Sequence, residues 1–105
     1  MNTLNTSGYI KIPVDEENIF EKIPENKVTG KYIDFKENVG KYHQNLYFIE
    51  SLEDQKITKL FGYKSLDRQM KLLNLNDLVE IEYIRFNSDR NYHEYKVSKL
   101  EKIAK

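Results

Sequence analysis

No cysteine occurs among the 105 residues, so neither a disulfide framework nor a cysteine-ligated metal site can form. Net charge is absent too: 17 Lys and Arg balance 17 Asp and Glu. A simple electrostatic binder of nucleic acid usually carries a basic excess, so any cationic groove here must be gathered locally. The balance is uneven along the chain. Residues 1–30 hold three Lys against five acids (Asp15, Glu16, Glu17, Glu21 and Glu25), which leaves the remainder net basic by two. The apolar runs are far too short to cross a bilayer, and no membrane partner is expected. MNTLNTSGY lacks the basic start and apolar run of a secretory leader, so a cytoplasmic setting is expected. A glycine-rich phosphate loop, a nucleophile elbow and a His-Glu-x-x-His motif are all missing, and nothing points to an enzyme. Repeats and low-complexity tracts are missing as well. Tryptophan is absent, which leaves eight Tyr as the intrinsic fluorophores.

What is present is a β-rich pattern. At 105 residues the chain is one domain with one modest core. Gly8–Val14 (GYIKIPV) alternates, and Pro13 would confine such a strand to a sheet edge. Asp15–Ile23 could form one or two helical turns ending before Pro24. These elements make residues 1–26 an extension ahead of the main fold. Lys27–Lys36 reads as a first strand, with Gly30 at a bulge or sharp bend. Glu37–Gly40 is a turn. Lys41–Glu50 is a second strand, with Leu46 and Phe48 on the core face and His43, Asn45 and Tyr47 on the other. Lys56–Tyr63 is a third strand.

A short helix follows. Ser65 suits the N-cap, and Leu66, Met70 and Leu73 fall at the spacing of one helical face. Asn74–Asp77 ends it. Leu78–Ile84 alternates strictly, Val79, Ile81 and Tyr83 inward and Glu80 and Glu82 outward. Asn87–Asn91 is a turn, and Tyr92–Val97 a last strand with Tyr95 and Val97 inward. Residues 99–105 form a charged tail. Three strands, a helix and a hairpin predict a mainly β fold: a five-stranded barrel over residues 27–98, of the oligonucleotide-binding (OB) type, with one short helix between strands three and four.

The run FGYKSLDRQMKLLNLNDLVEIEYIRFNSDRNYHEYKV resembles small phage and plasmid single-stranded-DNA-binding proteins. The matching residues are Phe61-Gly62, Leu66-Asp67-Arg68, Met70, Asp77, Val79, Ile81, Tyr83, Tyr92-His93, Tyr95 and Val97. The resemblance implies the OB-fold and, beyond it, single-stranded DNA as partner in replication or recombination, with replication or recombination proteins as further partners. It implies no cofactor. Asn76 stands where that pattern often has Gly, the ending Lys-Ile-Ala-Lys is not the acidic tail of many bacterial relatives, and residues 1–26 have no counterpart.

Single-strand binding needs cations along the backbone and aromatic faces for the bases, on strands two and three and the two loops that frame them. Those positions are Lys36 and Lys41 in the first loop, His43 and Tyr47 on strand two, Lys59, Phe61, Tyr63 and Lys64 on and after strand three, and Arg85, Phe86 and Arg90 around the last turn. For Phe61 and Tyr63 a place in the core is the competing reading, with Lys59 snorkelling past it. Arg85 and Arg90 equally suit a solvated hairpin tip. His43 and His93 could meet on neighbouring strands, but without a third ligand they make no metal site. Glu80 and Glu82 share a face, and a solvated strand explains them better than acid–base chemistry. The rival to DNA binding is a protein-interaction module on the same fold. Exposed strand edges could also support a homodimer or higher oligomer.

Overall fold

The computed structural model describes residues 19–101. They form one antiparallel sheet of five strands: β1 (Lys27–Val39), β2 (Gln44–Ser51), β3 (Ile57–Phe61), β4 (Leu78–Asn87) and β5 (Tyr92–Lys99). A single helix, α1 (Lys64–Met70), lies between β3 and β4. The strand order is β3-β2-β1-β4-β5. Among the described residues no helix is long and apolar enough to cross a membrane. The candidate edge strand Gly8–Val14 lies outside the described residues. So does Asp15–Asn18 of the candidate helix, and Ile19–Ile23 are not helical.

β1 is the central strand and pairs along both of its edges. Its first half pairs with β4 and its second with β2, and Gly30 lies opposite both Val79 and Ser51. A Cβ at Gly30 would stand 2.1 Å from the Glu50 carbonyl oxygen, so only glycine lets the strands approach this closely. One extra residue between Tyr32 and Asp34 shifts the register against β2 and bends the strand further. The Tyr32 amide donates to the Asp77 carbonyl, and the Asn76 amide to the Tyr32 carbonyl, which ties the loop after α1 to the bend. Asn76 holds φ 78°, the left-handed conformation a glycine would otherwise provide.

The core lies on one face of this curled sheet. Val28, Tyr32, Tyr47, Ile49, Leu60, Val79, Ile81, Tyr83 and Tyr95 meet there, with Leu66 and Met70 of α1 beneath them and Leu73 and Val97 alongside. Each large side chain so buried contributes about 1.5–3 kcal/mol before entropy is counted. Leu66 and Met70 of the expected helical stripe and the alternation of β4 lie where their periodicities place them, but α1 ends at Met70, short of the expected Asn74–Asp77, and Leu73 reaches the core from the loop after it.

On β2 the faces are the reverse of the sequence expectation. Tyr47 and Ile49 point into the core, and Leu46 and Phe48 point away from it. All four residues from Leu46 to Ile49 are buried. A strand covered on both faces loses the polar alternation that would reveal its register.

The sheet curls but does not close into a barrel. Closure would require β3 to pair with β5, and among the described residues other groups occupy both of those edges. The Phe20 amide donates to the Lys59 carbonyl of β3 at 2.8 Å, Ile19 forms a parallel bridge with Lys59, and the Phe20 ring lies 6.4 Å from that of Tyr95 on β5. On β5, the Tyr95 amide donates to Ser65 Oγ at 3.1 Å and the Val97 amide to Gln69 Oε1 at 2.8 Å. Gln69 Nε2 donates back to the Tyr95 carbonyl at 2.7 Å. Two side chains of α1 thus stand in for a partner strand, so the edge is not left bare. Ser65 is therefore not the N-cap. That position falls to Tyr63, without a side-chain cap, and the Ser65 hydroxyl serves β5 instead.

Candidate nucleic-acid interface

The seam between β3 and β5 gathers aromatic rings. Beyond the β4 bulge that follows Tyr83, Phe86 lies opposite His93, one step up the inner face from the Tyr83–Tyr95 pair. β3 ends at Phe61, and after Gly62 the Tyr63 side chain reaches this same row. A Cβ at Gly62 would stand 2.2 Å from the Asp67 carboxylate, which packs against the backbone at that point. Tyr63 sits 4.5 Å from His93 edge-on and 6.2 Å from Tyr95 in a stacked arrangement. His93 lies 5.0 Å from Phe86. A continuous series of rings therefore runs from the core at Tyr95 to the exposed face of Phe86.

Charge and polarity are arranged around that series. The Lys22 ammonium donates to the Tyr63 hydroxyl at 2.8 Å and lies 4.9 Å from the centre of its ring. His93 Nδ1 bonds the Tyr83 hydroxyl at 2.8 Å. Burial, and then the nearby Lys22, hold the His93 pKa below its ordinary 6.5, so the ring is neutral at pH 7. On the other face of the hairpin, Arg85 pairs with Glu94 at 3.3 Å. Asn87, then Arg85, hold the Glu94 carboxyl below its usual range. Phe86 is 47% exposed, and Tyr63 and His93 are partly exposed. The rings are inclined to one another by 61° and 47°, and the half-exposed Phe86 offers a face that can accept an unpaired base.

The expected site residues do not form one group. Arg85 lies across from Glu94 on the other face of β4, whereas Tyr63 and Phe86 come together in this row. Lys64 and Arg90 lie next to it, on the first turn of α1 and in the β4–β5 turn. Lys36 and Lys41 are exposed near the β1–β2 turn, where the Lys36 ammonium lies 5.9 Å from the Phe48 ring and that of Lys41 lies 5.0 Å from Tyr42.

Four expectations need correction. Tyr47 is 4% exposed and cannot stack a base; its hydroxyl donates to Asp67, and burial together with that bond raises its pKa. Lys59 is 4% exposed and does not snorkel to the surface. Phe61 shares the face opposite the core with Lys59, but Tyr63 does not, because Gly62 turns the chain before it. His43 is in the β1–β2 turn at φ 52°, bonded to Asn38, and not on a strand. It is thus nowhere paired with His93, and no metal-holding group of three or more His, Asp or Glu occurs among the described residues.

Lys22 and His93 were not among the expected contacts. Lys22 falls in a segment that reads as acidic, and only the return of that segment to the seam brings it to Tyr63. His93 follows Tyr92 in the matched pattern, which was the one available signal.

No protein-family model, curated protein or solved structure matches this chain.

Proposed function

We propose that this chain is a sequence-tolerant single-stranded-DNA-binding protein built on an open form of the OB barrel, suited to DNA replication or recombination. The observation that carries the reading is the row Tyr63–His93–Phe86 with Lys22 against it, standing at an unclosed seam. The strand order and the position of the single helix support the fold, since joining β3 to β5 would turn this sheet into a five-stranded barrel. Stacking on rings such as these is worth about 1–3 kcal/mol per base and tolerates any sequence. Zero net charge makes stacking the larger share of the binding and limits non-specific attraction to duplex.

A second reading has its own support. Leu72 and Leu75, in the loop after α1, are 83% and 45% exposed, as suits a surface that docks another protein. Titration with oligothymidine and with duplex of equal length, at two salt concentrations, separates the two. Tyrosine fluorescence is the readout, since no Trp is present. Micromolar or tighter binding to the single strand, weaker to duplex and weakened by salt, supports DNA binding. No change in fluorescence at low salt with either oligonucleotide refutes it and leaves the docking module.

A further inference from the structure

The cations of α1 form a stripe that the functional row does not use. Lys64, Arg68 and Lys71 are spaced by four and then three residues, so they lie along one side of the helix, while Leu66 and Met70 face the core. Across from this stripe, Arg90, Asn91 and Tyr92 rise from the β4–β5 turn. Lys64, Ser65, Arg68, Arg90, Asn91 and Tyr92 together line a cleft of about 290 Å³. No carboxylate lines it. A second depression shares Lys64 and Arg68 and includes Lys71 and Asp67. Asp67 is the nearest acid of the helix, and its Oδ1 already accepts from Tyr47 and Asn45.

None of the four cationic side chains is in an ion pair among the described residues. In a chain with as many acids as bases, three unpaired cations, Lys64, Arg68 and Arg90, around one acid-free cleft are a departure from an evenly mixed surface. Like charges held together without a counter-ion repel, and an anion bound between them removes that cost. Arginine favours phosphate in such a place, because its planar fork donates two parallel hydrogen bonds.

We infer that this cleft is the track for the phosphodiester backbone of the bound strand. The inference rests on the proposed function and deepens it. Tyr63 immediately precedes Lys64, and Tyr92 immediately precedes His93 on the other face of β5, so the cleft stands one residue from the base-stacking row on each side of the seam. Bases lie on Tyr63, His93 and Phe86, and the phosphates pass between Arg68 and Arg90.

The test is the salt dependence of oligothymidine binding by the full chain and four variants: Arg68→Gln, Arg90→Gln, Phe86→Ala and Lys96→Gln. Lys96 is exposed on β5, across from Glu82, and controls for the loss of one positive charge anywhere on the molecule. Each phosphate contact contributes about 0.7 to the slope of log affinity against log salt for a single strand. Arg68→Gln and Arg90→Gln should each flatten the slope by about that amount and lower affinity several-fold. Phe86→Ala should lower affinity with the slope unchanged, and Lys96→Gln should match the parent. Slopes for Arg68→Gln and Arg90→Gln equal to that of Lys96→Gln would overturn the cleft and leave the DNA-binding reading standing. Absence of any binding by the parent chain would overturn the reading itself, and the cleft with it.

Discussion

Removing the Gln69 side chain tests how the open seam is held. Gln69 accepts from the Val97 amide at 2.8 Å and donates to the Tyr95 carbonyl at 2.7 Å and to the Ser65 carbonyl at 2.9 Å. In Gln69→Ala the Tyr95 carbonyl retains the Ser65 hydroxyl, at 3.3 Å. The Val97 amide retains nothing. An orphaned, partly buried donor costs about 1–3 kcal/mol, and alanine returns only a few tenths through helix propensity. The variant should therefore lose about 2 kcal/mol, which for a domain of this size lowers Tm by about 8–16 °C. Urea unfolding followed by tyrosine fluorescence measures the loss. Amide hydrogen exchange locates it: Val97 should exchange faster in the variant, while Tyr95, still bonded to Ser65, stays protected. Ser65→Ala should show the opposite pattern. The two changes together should be non-additive, because Gln69 and Ser65 also touch each other. A loss below about 0.5 kcal/mol, or exchange at Val97 that does not change, would mean that α1 does not hold the β5 edge.

Tyr63→Ala and Phe86→Ala should each weaken oligothymidine binding by about 1–3 kcal/mol, roughly five- to 150-fold, as read by fluorescence titration. Tyr47→Ala should instead destabilise the protein by about 3–5 kcal/mol in urea unfolding, since it empties a core site and strips Asp67 of a donor. Gly30→Ala should unfold the β1–β2 pairing or prevent accumulation of folded protein, because its methyl would overlap the Glu50 carbonyl; a circular dichroism spectrum matching the parent would refute this. Burial, and then the charge of Asp34, push Tyr32 up to about 12, and burial raises Tyr47 and Tyr95 as well. A folded pKa above the unfolded 10.0 means stability that is complete below pH 10 and lost as pH rises towards 12. Tyrosinate absorbance during alkaline titration should thus rise late and together with unfolding. His93 should titrate below 6.5 in its proton NMR spectrum, and titration at or above that value would mean the ring is not packed between Tyr63 and Phe86.

Much of the order was legible in the residues alone. The alternation Val79-Glu80-Ile81-Glu82-Tyr83 admits only one inner face, because turning it over would bury two carboxylates. Leu66 and Met70 mark a helix by their spacing, although Leu73 lies past its end, and Gly30 marks a bend by having no Cβ. These are local signals, and five strands with one helix follow from them. The register of β2 was not legible. Leu46-Tyr47-Phe48-Ile49 is apolar at every position, and a strand covered on both sides gives period two nothing to act on. The inversion there took Tyr47 out of the expected site and into the core.

The sequence by itself determined the kinds and sequence of elements, because backbone preference and hydrophobic period act between near neighbours along the chain. Only the tertiary structure decided which aromatics remain reachable, since that depends on what lies across the sheet. It carried Lys22 to Tyr63, 41 positions on, and let Ser65 and Gln69 take the place of a strand beside β5. Those contacts join residues far apart in the chain, and no local pattern encodes which hydrogen-bond partner an exposed strand edge will find.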